Sequence, residues 1–144
     1  MAIKKLLVPC VVVGALGLLS TACGGPLHYA PHGTARAPEA DAQIEATVNS
    51  SQQNTQIHIL MQHLAPPDRL IAGGNSYVVW SRRNQNAQWM RIGTLAYNPG
   101  TREAELTSMA PDTSFELNVT VENTPTPTSP SPNVVLAQRV GGGS

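Results

Sequence analysis

The chain predicts an all-β domain of two packed antiparallel sheets, running from Gln43 to Val140. Three observations carry that expectation. Apolar and polar residues alternate over short runs, most cleanly in Phe115-Glu116-Leu117-Asn118-Val119-Thr120-Val121-Glu122, where every odd position is apolar and every even one polar. Turn-forming residues break the pattern every eight to fifteen positions. Seven candidate strands then fit into about 97 residues, a density that suits two sheets.

Gln43 to Asn49 is the first candidate strand and Thr55 to Leu64 the second, with Ile57, Ile59 and Met61 alternating with His58, Leu60 and Gln62. Leu64-Ala65-Pro66-Pro67-Asp68 must stop the second strand, because two successive prolines remove two ladder donors. Ala72-Gly73-Gly74-Asn75 supplies the next reversal. Ser76 to Arg82 follows; its Tyr77-Val78-Val79-Trp80 run is apolar on both faces, which places it centrally or beneath a loop, with Trp80 as a core anchor. Gln88 to Tyr97 is the fourth strand, and Asn98-Pro99-Gly100-Thr101 closes a hairpin onto Arg102 to Thr107. Ser114 to Glu122 is the sixth.

Asn123 to Pro132 carries four prolines among Thr and Ser and reads as a stiff, extended loop of polyproline II character. Asn133 to Arg139 returns as an edge strand, since Val134, Val135 and Leu136 would be costly to leave in water. The competing boundary ends the domain at Glu122 and makes the remainder a tail. Gly141 to Ser144 reads as a flexible end.

The chain's first 42 residues have a different organisation. Lys4 and Lys5 tip an apolar stretch from Leu6 to Leu19, shorter than the roughly 20 residues a membrane span needs. Leu18-Leu19-Ser20-Thr21-Ala22-Cys23-Gly24-Gly25 then resembles a bacterial lipobox, although Ser20 stands where Leu, Val or Ile is usual. The resemblance implies a signal peptide over residues 1–22, cleavage before Cys23 and acylation of Cys23, which would fix the chain to a membrane through its acyl chains. Two or three chains hold a protein durably, at about 0.8 kcal/mol for each buried methylene. A cleaved secretory signal and an uncleaved anchor are the competing readings. Gly24, rather than Asp, after the cysteine implies outer-membrane delivery under the familiar sorting rule. From Cys23 to Ala42, Gly, Pro, Ala and His dominate, so this stretch is expected to be a flexible tether.

Removing residues 1–22 leaves 122 of 144 residues, enough for one modest domain. Seven arginines then face nine acidic residues, a near-neutral balance that offers no broad cationic field for nucleic acid. With Cys10 in the leader and Cys23 acylated, no disulfide and no cysteine-based zinc cluster can form.

The block from Tyr77 to Leu136 resembles the extracytoplasmic C-terminal domain of the anti-sigma-K factor family. The residues that carry this are Tyr77-Val78-Val79-Trp80, the Gly93-Thr94-Leu95 step, the Phe115 to Glu122 strand, and Thr126-Pro127-Thr128-Ser129-Pro130 before Val134-Val135-Leu136. The resemblance implies a small Ig-like sandwich. It does not carry over sigma-factor binding, because the family's cytoplasmic domain and transmembrane helix have no counterpart in this sequence.

Chemistry-bearing groups are sparse. His28 and His32 are expected in the tether, and His58 and His63 on opposite faces of a strand, so neither pair is expected to hold metal. No Gly-x-Ser-x-Gly elbow or triad signature occurs, and Glu103 and Glu105 read as a wet strand face. No catalytic residue, cofactor or enzymatic activity is expected. Arg82, Arg83 and Arg91 surround Trp89 and form the candidate partner-binding patch, suited to a carboxylate, a glycan or an acidic segment. The competing reading packs Trp89 inside, under arginine stems. The expected function is a lipid-anchored binding or structural module of a bacterial envelope with a protein or glycan partner; the alternative is a sensor accessory related to anti-sigma signalling.

Overall fold

The computed structural model describes residues 25–142. The expected signal peptide and Cys23 lie outside the described residues. Nine strands and one short helix occur among those described: β1 Leu27–Tyr29, β2 Asp41–Asn49, β3 Asn54–Gln62, α1 Pro67–Leu70, β4 Ser76–Arg82, β5 Met90–Thr94, β6 Ala96–Asn98, β7 Glu103–Ala110, β8 Phe115–Glu122 and β9 Val134–Val140. They form a five-stranded sheet in the order β1-β2-β3-β7-β6 and a four-stranded sheet in the order β5-β4-β8-β9, with every pairing antiparallel. The two sheets make the expected all-β sandwich.

Alternation explains the core. Across the first sheet the register aligns Ala42 with Met61 and Ala104, then Ile44 with Ile59 and Leu106, so small and large side chains share each inward row. The facing sheet contributes Tyr77, Val79, Phe115, Leu117, Val119 and Val121, all fully buried. Tyr77 and Tyr97 meet edge to face at 5.6 Å, and their hydroxyls donate to the Ala65 and Leu64 carbonyls that close β3 before the prolines.

Two departures from the expected strands have physical causes. The Gln88 to Tyr97 strand is two strands in different sheets, divided at the buried Leu95, whose N–H donates to Tyr77 O at 2.8 Å. The crossing requires close approach of the sheets. A Cβ on Gly93 would stand 2.6 Å from Leu106 Cδ2 of β7, so glycine lets β5 lie against that strand. Register slips at Val79/Trp80, as expected where a strand turns a sandwich corner.

The tether is the second departure. Leu27, His28 and Tyr29 pair with Ala46, Glu45 and Ile44, and Ala37 and Ala40 are buried in the core cluster. Thr34 N–H donates to Val135 O across the open side of the sandwich. The Gly- and Pro-rich composition concealed this docking, because short turns such as Thr34 to Ala37 use the same residues as a coil. Gly141, expected in a flexible end, is held too, donating its N–H to the Tyr29 hydroxyl at 3.0 Å.

Trp80 is fully buried as expected, but on the outer face of the second sheet, outside the inter-sheet cluster. A polar relay accompanies it. Trp80 Nε1 donates to Thr120 Oγ1 at 2.9 Å, Thr120 Oγ1 donates to Glu122 Oε1 at 2.7 Å, and the Ser131 N–H donates to the same carboxylate at 2.8 Å. Thr94 Oγ1 donates to Pro125 O, so the proline-rich loop crosses from β8 to β5 over the row containing Val78. Val134 to Val140 returns as the β9 edge strand, paired antiparallel with β8.

Candidate functional site

On the outer face of the four-stranded sheet, Arg82 and Trp89 of the expected patch come together. Pairing of β4 with β8 sets Arg82 opposite Glu116, and the two form an ion pair through Nε and Oε2. The Arg82 guanidinium also lies 4.3 Å from the centre of the Trp89 ring. Trp89 sits just before β5 and is half-buried beneath the Arg82 guanidinium, outside the inter-sheet core. Arg83 is exposed and bonds Asp112 Oδ1 at 2.8 Å. Arg91 is exposed on β5, opposite Trp80 in the register.

Tertiary pairing adds a member that sequence reasoning missed. β9 sets Arg139 opposite Glu116, and its Nη2 donates to Ser114 Oγ at 3.1 Å while Nη1 reaches Arg83 O at 3.5 Å. Arg139 stands 50 positions after Trp89 in the chain, and only its strand's even-odd phase hinted at a place on this face. Among the described residues neither Arg91 nor Arg139 forms an ion pair. Around the Trp89 indole the face thus gathers the guanidiniums of Arg82 and Arg139 and the Glu116 carboxylate.

Two shallow depressions meet at Arg82. One, of about 270 Å³, is lined by Trp89, Glu116, Asn118, Ala137, Gln138 and Arg139 as well as Arg82. The other, of about 560 Å³, includes Arg83, Asn84, Asn86, Gln88 and Asp112.

The opposite face of the sandwich holds all four histidines, each beside a carboxylate. His58 Nε2 lies 2.5 Å from Glu105 Oε1, and His28 Nδ1 lies 4.0 Å from Glu45 Oε2. Asp41 receives His32 Nδ1 at 2.7 Å and His63 Nδ1 at 3.3 Å. These hydrogen bonds hold the Asp41 carboxyl below the usual carboxylate range, against a small opposing effect of burial. His63 joins this face because β3 ends at Gln62 and His63 takes φ 55°, which corrects the expectation of opposite faces on one continuous strand. His28 and His32 likewise belong to a docked segment.

Glu103 and Glu105 lie on that same exposed face, where Glu103 accepts from Gln62 Nε2 at 3.2 Å. Among the described residues no three His, Cys, Asp or Glu side chains come together to hold a metal ion, and no helix is long and apolar enough to cross a membrane. No protein-family model, curated protein or solved structure matches the chain.

Proposed function

We propose that this chain is a lipid-anchored, extracytoplasmic recognition module of a bacterial envelope, working by binding rather than catalysis. The observation that carries the reading is the Arg82 guanidinium stacked on a half-buried Trp89 above an open groove. An indole held in this way offers preorganised contact area with little side-chain entropy left to lose. Anchoring is inferred from the lysine-tipped leader and the Cys23 lipobox. Docking of β1 shortens the reach expected of a tether: three residues separate Cys23 from Leu27, four residue steps that span at most about 14 Å fully extended. The domain would therefore stand close to the bilayer, with its partner an envelope protein or glycan at short range.

The test uses the full-length chain in a bacterial host, with a photo-crosslinking residue replacing Ala137, which lines the groove and leaves Trp89 in place, and Cys23→Ser as the unanchored control. The expected result is a defined adduct that is lost, together with membrane fractionation, in Cys23→Ser. Membrane fractionation unchanged by Cys23→Ser would overturn the anchor. No adduct from a correctly anchored chain would overturn recognition through this face.

A further inference from the structure

We infer that the groove beside Trp89 binds a carboxylate-bearing glycan, a chain of uronic-acid type. This rests on the recognition reading above and names the ligand class of the same face.

The argument begins with which cations are already satisfied. Arg82 is neutralised by Glu116 and occupied by the Trp89 ring, so its role is to position the indole. Arg83 is neutralised by Asp112. Arg139 differs, for its guanidinium is aimed by the neutral oxygens of Ser114 and Arg83 and has no carboxylate partner among the described residues. An oriented guanidinium without a counter-charge is suited to a carboxylate, which it can grip through two parallel N–H groups. Arg139 lines the same groove as Trp89.

The remaining lining chooses among anions. Asn118 carries a donor and an acceptor on one planar amide and makes no side-chain hydrogen bond to another described residue, whereas Gln138 Nε2 already donates to Arg139 O at 2.7 Å and leaves its Oε1 as an acceptor. Vicinal hydroxyls, which both donate and accept, match such amides. The part of the indole that lines the groove, beyond the face Arg82 covers, offers an apolar surface for the C–H face of a sugar ring. An acidic peptide fits less well, because it lacks the vicinal hydroxyls that the Asn118 amide would pair with and the flat C–H ring face that the indole would cover. A polyphosphate would want more unpaired cations than Arg139, the one such cation among the residues that line the groove. The second depression, sharing Arg82 and bearing Asn84, Asn86 and Gln88, extends the path for a further sugar unit.

The test titrates the full chain in detergent micelles with oligogalacturonate, its methyl ester and poly-glutamate, followed by calorimetry. Oligogalacturonate is expected to bind, the uncharged ester at least tenfold more weakly, and poly-glutamate more weakly still. Arg139→Ala should weaken oligogalacturonate binding about tenfold to a hundredfold, and Arg139→Lys by an intermediate amount, because it keeps the charge and loses the fork. Trp89→Ala should abolish it, while Arg69→Ala, remote on α1, should leave it unchanged.

No binding of oligogalacturonate, equal binding of the ester, equal binding of poly-glutamate, or indifference to Arg139→Ala each overturns the inference. A proteinaceous adduct at Ala137 together with no oligogalacturonate binding would overturn the glycan and leave the recognition reading standing. No adduct of any kind would remove both.

Discussion

Replacing Thr120 by Val tests the relay beneath the proline-rich loop. The change is close to isosteric and removes one hydroxyl at a fully buried position. That hydroxyl accepts from Trp80 Nε1 at 2.9 Å and donates to Glu122 Oε1 at 2.7 Å. Without it the buried indole N–H loses its partner, costing about 1–3 kcal/mol, and a hydrogen bond to a charged group worth about 1.5–3 kcal/mol disappears. The added methyl returns about 0.8 kcal/mol of apolar burial. The net loss is therefore about 3 kcal/mol, a fall in melting temperature of roughly 10 °C for a domain of this size.

Equilibrium urea denaturation of the wild type, Thr120→Val and Thr120→Ser measures it. Serine keeps the hydroxyl and should recover most of the loss. A loss below about 1 kcal/mol in Thr120→Val, or equal losses in the two variants, would refute the reasoning that a hydroxyl bridging indole and carboxylate holds this face together. Glu122 keeps its bond from the Ser131 N–H in either variant, so the loop itself should remain docked.

Gly93→Val should destabilise by about 1–3 kcal/mol, because its Cβ would stand 2.6 Å from Leu106 Cδ2 and displace that side chain from its packing against the core. Adding Leu106→Ala should recover part of that loss in a double-mutant cycle, and strict additivity would refute the contact. Alkaline titration followed by tyrosine absorbance should show Tyr77 and Tyr97 ionising late, burial being the main cause of both upward shifts. A phenol whose folded pKa exceeds its unfolded value contributes stability that is complete below about pH 10 and is lost as pH rises through the folded value. Phenolate formation should therefore coincide with loss of near-ultraviolet ellipticity, and a full tyrosine titration at ordinary pH in a folded protein would refute the buried pair.

Much of the architecture was legible because side-chain alternation has a period of two and needs no partner to be seen. The Phe115 to Glu122 run declared its buried face directly, and Asn98-Pro99-Gly100-Thr101 closed the expected hairpin, with Asn98 Oδ1 accepting from the Gly100 and Thr101 amides. The stop at Pro66-Pro67 and the return of β9 were legible for equally local reasons, a missing donor and an apolar cluster. Trp89 with its neighbouring arginines was visible as composition around one aromatic residue.

What only the tertiary structure decided was which segments meet. The sheet switch at Leu95 depends on how closely Gly93 lets β5 approach Leu106, a distance that no local pattern encodes. Residues 27–42 were indistinguishable from a tether, because their docking rests on three backbone pairs with β2 and on small alanines filling space left by other strands. The four histidines reached one face through strand register and a single positive φ at His63. Arg139 joined Trp89 for the same reason: sequence sets the character and phase of each strand, whereas neighbours across a sheet are chosen by the free energy of burying all the strands together.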